Sequence, residues 1–216
     1  MKSKLLPLVL ILLFVTSTSF CQLPFKVGVR AGLNIANLSI DPALPSAIDK
    51  SSIVGAKYGV MAEFGFVPMF AIQVEPMIVR KGTKISGLGI DATSKLSYLD
   101  IPILLKLKIP TPVLSPYVFA GPDLGFLLSA TGTVNGVDSD IKDQFNSIDF
   151  TLDIGAGLSF DVAPLVTLMI DARYSLGLPD IYSDTGKQIL EQDTGIKDQK
   201  AKTTGIQILA GIMFGL

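Results

Sequence analysis

Residues 148–160 alternate between apolar side chains and polar or small ones along the whole stretch. Successive side chains of an extended chain point to opposite faces, so this period of two predicts a β-strand with one apolar face. Strands of soluble proteins usually end after about five or six residues, whereas a tilted strand that crosses an outer membrane needs about ten. The length of the alternation therefore favours a membrane-spanning strand. Its apolar members are Ile148, Phe150, Leu152, Ile154, Ala156, Leu158 and Phe160.

The same pattern recurs along the chain and predicts eight strands. The connections are long and polar after odd-numbered strands and short after even-numbered ones. Outer-membrane barrels show this asymmetry, with short turns in the periplasm and long loops outside the cell. The predicted fold class is all-β: an eight-stranded antiparallel up-and-down transmembrane β-barrel, with short periplasmic turns and long extracellular loops. The predicted strands are residues 25–35, 56–66, 70–81, 96–107, 117–128, 148–160, 166–176 and 204–216.

Two of the predicted strands are irregular. Pro76 falls inside the third strand, where a residue without a backbone N–H removes a ladder hydrogen bond, so we expect a β-bulge there. The alternation leaves open the phase of the fifth strand. The long connections are expected to be loops, because Gly, Pro and polar residues are concentrated in them. They comprise residues 36–53, 82–95, 129–147 and 177–202.

The N-terminus has the layout of a secretory signal peptide. Lys2 and Lys4 precede an apolar run at residues 5–15, and small polar residues follow it. We expect cleavage after Cys21, which divides the chain into a signal peptide, residues 1–21, and a single β-barrel domain, residues 22–216. A lipoprotein signal in which Cys21 is acylated is the alternative, and bulky Phe20 disfavours it because a small residue is wanted beside the acylated cysteine.

Composition narrows the classes of chemistry. The chain has no histidine and a single cysteine, so cleavage after Cys21 leaves no side chain for a disulfide or for a thiolate or imidazole metal site. No later run approaches the roughly 18 apolar residues of a membrane helix. The high hydrophobic content, 49%, fits strands whose apolar face meets lipid. A net charge of −1 gives no electrostatic support for nucleic-acid binding.

Short motifs occur in a fixed order along the mature chain. They include GVRAGLN at residues 28–34, EP at 75–76 with RKG at 80–82, YLDIP at 98–102, AGP at 120–122 and RYSLGL at 173–178. In order and spacing they resemble the PorT-like outer-membrane β-barrel family of Bacteroidota, which has the small-barrel architecture of OmpA and OmpX. The resemblance implies an eight-stranded outer-membrane barrel. One namesake takes part in type IX protein secretion, and no catalytic or binding residue carries over from the family.

Charged residues collect on the predicted inward face of the strands. They are either a path for protons or ions or a set of paired charges that fills the barrel. We favour structural pairing, because an eight-stranded barrel is only wide enough for its own side chains and buried charges must be paired. A small ligand pocket near one mouth remains open as an alternative. The candidate lumen network is Arg30, Lys57, Glu63, Glu75, Lys81, Asp100, Lys106, Asp153, Asp171 and Arg173.

Two local motifs resemble catalytic or metal sites and are interpreted as loop sequence. Asp-Thr-Gly occurs at residues 184–186 and 193–195, but aspartic-protease chemistry needs two carboxylates that face each other from separate loops. Asp138, Asp140 and Asp143 lack the third ligand of a calcium loop, because Lys142 stands where it is needed. We therefore expect no catalytic residue, no metal site and no cofactor.

The sequence predicts a non-enzymatic, integral outer-membrane β-barrel whose loops are a binding or adhesion surface, since loops on a rigid scaffold carry recognition. Expected partners are outer-membrane lipid, the barrel-assembly machinery during insertion and a protein bound by the extracellular loops, with no nucleic acid. Two alternatives remain. One is an accessory component of a type IX-like secretion machine. The other is a soluble periplasmic lipocalin-like small-molecule binder with its apolar face inward.

Overall fold

The computed structural model describes residues 25–41, 49–87, 90–178, 180–194 and 200–216. The predicted signal peptide and its cleavage point lie outside these residues. These described ranges contain ten strands, one α-helix and a 3-10 turn. They are β1 (Phe25–Asp41), β2 (Asp49–Val67), β3 (Phe70–Val74), β4 (Met77–Gly87), β5 (Ile90–Lys108), β6 (Leu114–Val134), β7 (Val137–Asp140), the 3-10 turn (Lys142–Gln144), β8 (Ile148–Ala163), β9 (Val166–Gly177), α1 (Asp184–Thr194) and β10 (Lys200–Gly215).

The strands form one closed antiparallel sheet. β1 pairs with β2 on one side and with β10 on the other, so the first and last strands seal the barrel. β3 and β4 are two halves of one position between β2 and β5, and β7 is a short hairpin partner of β6. Eight strand positions therefore surround the lumen in up-and-down order, which confirms the predicted fold class.

Pro76 interrupts the third predicted strand, but the expected β-bulge is wrong. The pairing of β3 and β4 with β5 keeps one register across the break, from Val74 opposite Ile103 to Met77 opposite Asp100. Pro76 has no N–H to donate, yet its carbonyl oxygen accepts from the Val60 N–H at 3.1 Å. The sheet thus lacks one backbone N–H donor at Pro76, but the strand contains no extra residue of the kind that forms a β-bulge.

The predicted long loops are shorter than expected, because the strands continue beyond the apolar band. β1 extends to Asp41, and β4 and β5 continue as a polar hairpin to Gly87 and Ile90. Backbone pairing does not require an apolar face outside the membrane, so the alternation that predicted the strands ends before the strands do. The remaining connections contain β7 and α1, neither of which was predicted from the sequence.

The barrel has its apolar face outside. Outward side chains along the strands are exposed and hydrophobic, such as Val29, Val60 and Ile208, which are 54%, 55% and 50% exposed. Inward positions are mainly polar, opposite to the lipocalin-like alternative, which needs an apolar lumen. Among the described residues, no helix is both long and apolar enough to span a membrane.

Candidate functional site

The candidate site is the barrel lumen with its outer mouth. All ten charged residues singled out in the sequence lie buried there, none more than 9% exposed. They divide into three groups of ion pairs, whose members lie at inward positions of β1, β2, β4, β5, β6, β8 and β9, with Glu75 between β3 and β4. The alternation of side chains along each strand places them, since one face of a strand always points into a closed barrel.

Glu75 is the centre of the first group. Its carboxylate contacts two guanidinium groups, those of Arg30 and Arg173, with Arg173 Nη1 at 3.0 Å from Glu75 Oε2. Arg173 also lies 3.3 Å from Asp171 and 3.5 Å from Asp153, and Arg30 pairs with Asp171. Two cations thus share three carboxylates, which compensates for the cost of removing these charges from water.

The second group lies towards the end of the barrel that carries the short turns. The Lys106 ammonium is 2.7 Å from Glu63 Oε2 and donates to Gln73 Oε1 at 2.6 Å. Lys108 pairs with the other oxygen of Glu63. The Tyr117 ring lies beneath Lys106, with Nζ at 4.1 Å from the ring centroid, which adds a cation–π contact.

The third group lies towards the outer mouth. Lys57 Nζ is 3.3 Å from Asp100 and 3.7 Å from Asp123. Lys81 Nζ is 3.4 Å from Asp149 and 3.7 Å from Asp100. Two lysines therefore hold three carboxylates together at this level.

Several members of the network were missed in the sequence. Asp123 was left out because the phase of its strand was open, and the structure buries it. Asp149 lies four residues before Asp153 in the alternating stretch 148–160, and therefore on the same face of the strand. The sequence pattern could have identified it as a lumen residue. Tyr117, whose hydroxyl donates to Asp171 at 2.8 Å, carries no charge to mark it in the sequence.

Apolar side chains pack in the lumen together with the charged groups. Towards the short turns, methionines and aromatic rings pack together in a cluster of Met61, Leu104, Tyr117, Phe119, Met169 and Met213. Towards the outer mouth a second cluster contains Val79, Leu96, Tyr98, Leu127, Ala130, Phe145 and Ile181. Phe145 and Ile181 come from the connections between strands, so the loops themselves seal the mouth.

The mouth segments are held together by backbone and ring contacts. Phe145 and Tyr182 form an isolated antiparallel bridge, and their ring centroids are 5.6 Å apart. Burial, and then the nearby Asp180 carboxylate, raise the pKa of the Tyr182 phenol, so it stays neutral in this plug. The Ser183 N–H donates to Gln144 O at 3.0 Å, and Ser183 Oγ caps α1 by accepting from Gly186 N–H at 3.1 Å.

The two motifs interpreted as loop sequence have ordinary structural positions. The first Asp-Thr-Gly begins α1, and Asp193 and Thr194 of the second are the last two residues of the same helix. Asp138 accepts from Thr133 Oγ1 at 2.6 Å, and Asp140 from the Lys142 N–H at 2.9 Å. No cluster of three metal-ligating side chains occurs within the described residues.

A polar pocket of about 180 Å³ lies at the mouth beside the short turns. Lys26, Glu63, Lys106, Lys108 and Asp161 line it with both signs of charge. Its cations are already paired, since Lys26 lies 3.6 Å from Asp161 and both other lysines contact Glu63. The pocket therefore continues the paired network, in which Lys106 and Lys108 share the single carboxylate of Glu63.

Comparison with known proteins identifies the fold independently. Residues 17–183 match the family described as outer membrane protein beta-barrel domain. The structure is similar to Neisserial surface protein A, with a TM-score of 0.52 and 17% identity over 88% of this chain and 96% of that one. It is also similar to OprG from Pseudomonas aeruginosa, with a TM-score of 0.57 and 12% identity over 90% of this chain and 96% of that one. No curated protein matches the sequence. Because both sequence identities are below 25%, the two structural similarities are evidence for a shared fold and not for a shared function.

Proposed function

This chain belongs to the outer membrane protein beta-barrel domain family, and from that premise we propose that its barrel is a closed, non-enzymatic scaffold that presents extracellular loops as a binding surface. The protein is an integral outer-membrane β-barrel, and its apolar outer face contacts outer-membrane lipid. By the same proposal, the mature protein is a single barrel domain, residues 22–216, released from its signal peptide and inserted by the barrel-assembly machinery.

The filled lumen is the observation that carries this proposal. Three groups of ion pairs occupy the centre, and an apolar cluster that contains Phe145 and Ile181 covers them at the outer mouth. Eight strands enclose only enough space for side chains. A transport path through this lumen would break buried pairs at a cost of several kcal/mol each, by the usual penalty for an uncompensated buried charge.

The outer connections are the surface left for recognition. α1 and the β6–β7 hairpin project beyond the apolar band and rest on the sealed mouth, where Gly186 packs against the Gln144 backbone. Loops held on a rigid scaffold are the usual carriers of binding function. A protein partner bound through α1 and this hairpin is therefore part of the proposal.

We also propose that the chain is a PorT-like member of the family. The motifs behind that resemblance supply most of the network: Arg30, Glu75, Lys81, Asp100, Lys106 and Arg173 all lie in or beside them. Those residues lie buried in the lumen. The motifs shared with the PorT-like family therefore correspond to residues that fill the lumen. A role in a type IX-like secretion machine would depend on the loops.

The scaffold proposal predicts that the barrel tolerates replacement of α1. When residues 184–194 are exchanged for a Gly-Ser linker of equal length, the protein should still fold, because the closing pairs between β1 and β10 are untouched. The measurement is migration on a gel with and without boiling, after recovery from the outer membrane. Loss of the heat-dependent shift would contradict the proposal, and a conservative Lys187→Arg variant serves as the control for expression.

A second expected result is that the purified protein does not conduct. In a planar lipid bilayer it should give no stepwise current under conditions in which a general porin does, because the paired charges leave no continuous aqueous path. Uniform current steps from independently folded preparations would overturn the closed-scaffold proposal.

A further inference from the structure

A crevice of about 410 Å³ lies in the barrel wall where β2, β4, β5 and β6 run side by side. Basic and hydroxyl side chains line one part of it, and small apolar side chains of β2 line the other. The lining includes Arg80, Lys95, Ser97, Ser129, Thr131 and Val54. The register between β5 and β6 shifts beside it, between Ser97 and Tyr98, which opens the outward surface at this point.

The crevice begins where the apolar band of the barrel ends. Arg80 pairs with Ser97, and Ser97 pairs with Ser129, so these three residues form one row across the wall. The next outward row towards the short turns is Ile78 and Leu99, followed by Phe126 on β6. Because the short turns face the periplasm, this polar row lies at the level of the outer-leaflet headgroups.

Two cations at the crevice have no carboxylate partner among the described residues. Arg80 and Lys95 are exposed, and neither forms an ion pair with any residue in the described ranges. Lys81 also lines the crevice, but it is buried and paired with Asp100 and Asp149. The available charge of the crevice is therefore positive and faces outward.

The carboxylates nearest to the crevice along the sheet are engaged elsewhere. Asp140 lies one strand beyond Thr131 and accepts from the Lys142 N–H. Asp91, further out on the β4–β5 hairpin, lies 3.9 Å from Lys84. Neither one joins Arg80 or Lys95 in an ion pair.

Arg80 and Lys95 lie on adjacent strands on one side of the barrel. At the outer ends of β9 and β10, on the other side of the sheet order, the outward residues Leu176, Leu178 and Ile206 are exposed and apolar. Lys202 is an exposed cation four residues further out on β10. The placement of Arg80 and Lys95 beside each other indicates a site of limited width.

We propose that this crevice binds the phosphorylated headgroup of a lipid in the outer leaflet. Arg80 and Lys95 contact the phosphate oxygens, since a guanidinium and an ammonium group are the side chains suited to phosphate. The hydroxyls of Ser97, Ser129 and Thr131 supply further donors. An acyl chain of the same lipid lies along Val54 and the apolar band below. The inference uses the outer-membrane location of the barrel and is independent of the function of the loops.

The test measures lipid binding directly, with phosphatidic acid as the probe. The folded protein in neutral detergent is titrated with phosphatidic acid or with phosphatidylcholine, and bound lipid is counted by native mass spectrometry. The double variant Arg80→Ala/Lys95→Ala should bind phosphatidic acid about tenfold or more weakly, because it lacks both cations that contact the phosphate. Binding of phosphatidylcholine should not change.

The control removes two cations from elsewhere on the outer side. Lys187→Ala/Lys202→Ala lacks Lys187 of α1, which lies 2.9 Å from Asp180, and the exposed Lys202 of β10, and it should bind phosphatidic acid as the native protein does. An equal loss in both double variants would overturn the site in favour of general attraction between charges. Unchanged binding in Arg80→Ala/Lys95→Ala would overturn it as well. Displacement of the lipid by inorganic phosphate at matched concentration would reassign the crevice to a free anion, and heat-dependent migration verifies that every variant is folded.

Discussion

Glu75→Ala is expected to cost about 3–5 kcal/mol of the free energy of unfolding, the usual effect of removing one partner from a buried ion pair. The Glu75 side chain is completely buried between the guanidinium groups of Arg30 and Arg173. Its removal leaves two cations to share Asp171 and Asp153 at the centre of the barrel. The measurement is the fraction folded against urea in lipid vesicles, followed by the heat-dependent gel shift because the chain contains no tryptophan.

Two further variants separate the charge of Glu75 from its shape. Glu75→Gln keeps one carbonyl oxygen for an arginine and should fall between the native protein and Glu75→Ala. Lys84→Ala breaks the exposed pair with Asp91, where both side chains are more than half exposed, and should change stability by less than about 1 kcal/mol. If Glu75→Ala unfolds at the same urea concentration as Lys84→Ala, the network is not what stabilises the lumen.

The barrel wall was predictable because a strand has a period of two. Once one residue of a spanning strand is assigned to lipid, every second residue follows it, and the opposite set faces the lumen. The assignment of Asp153 and Arg173 to the lumen needed nothing more than this parity. The even strand count and the alternation of short and long connections then indicated a closed up-and-down sheet.

The partners inside the lumen were not predictable from the same pattern. Arg30 meets Glu75 and Asp171, which are 45 and 141 residues away along the chain. Which charges meet depends on the register of every strand between them, and register shifts occur in β2, β5 and β8. The alternation along a strand shows which face a residue lies on. Its position along the barrel axis depends on the register between all the strands of the closed sheet.

The outer mouth was the part of the site that the sequence left undescribed. Phe145 and Ile181 are isolated apolar residues in polar surroundings, with no periodicity to mark them as core. They become core because the connections fold back over Tyr98 and Leu127 at the ends of the strands. Their burial is a property of the assembled barrel, so a local reading of the sequence treats them as loop.

Ile154→Arg is expected to destabilise the barrel by about 2–4 kcal/mol, the penalty for an arginine on the lipid face near the bilayer midplane. Ile154 is 57% exposed in the middle of β8, opposite Ala120 on β6 and Tyr174 on β9. A guanidinium at this position has no buried carboxylate within its face of the sheet and must draw water or headgroups into the apolar band. The measurement is again the urea dependence of the folded fraction, in vesicles and not in micelles, because the penalty depends on bilayer depth.

The control uses the same substitution outside the apolar band. Val137 is 68% exposed at the start of β7, next to the Asn135-Gly136 turn, and Val137→Arg should cost no more than about 1 kcal/mol, as at a membrane interface. Ile154→Leu keeps the lipid face apolar and should behave as the native protein does. Equal stability of Ile154→Arg and Val137→Arg would mean that β8 does not face lipid. The apolar alternation that begins the argument for this barrel would then have to be explained by burial against another protein.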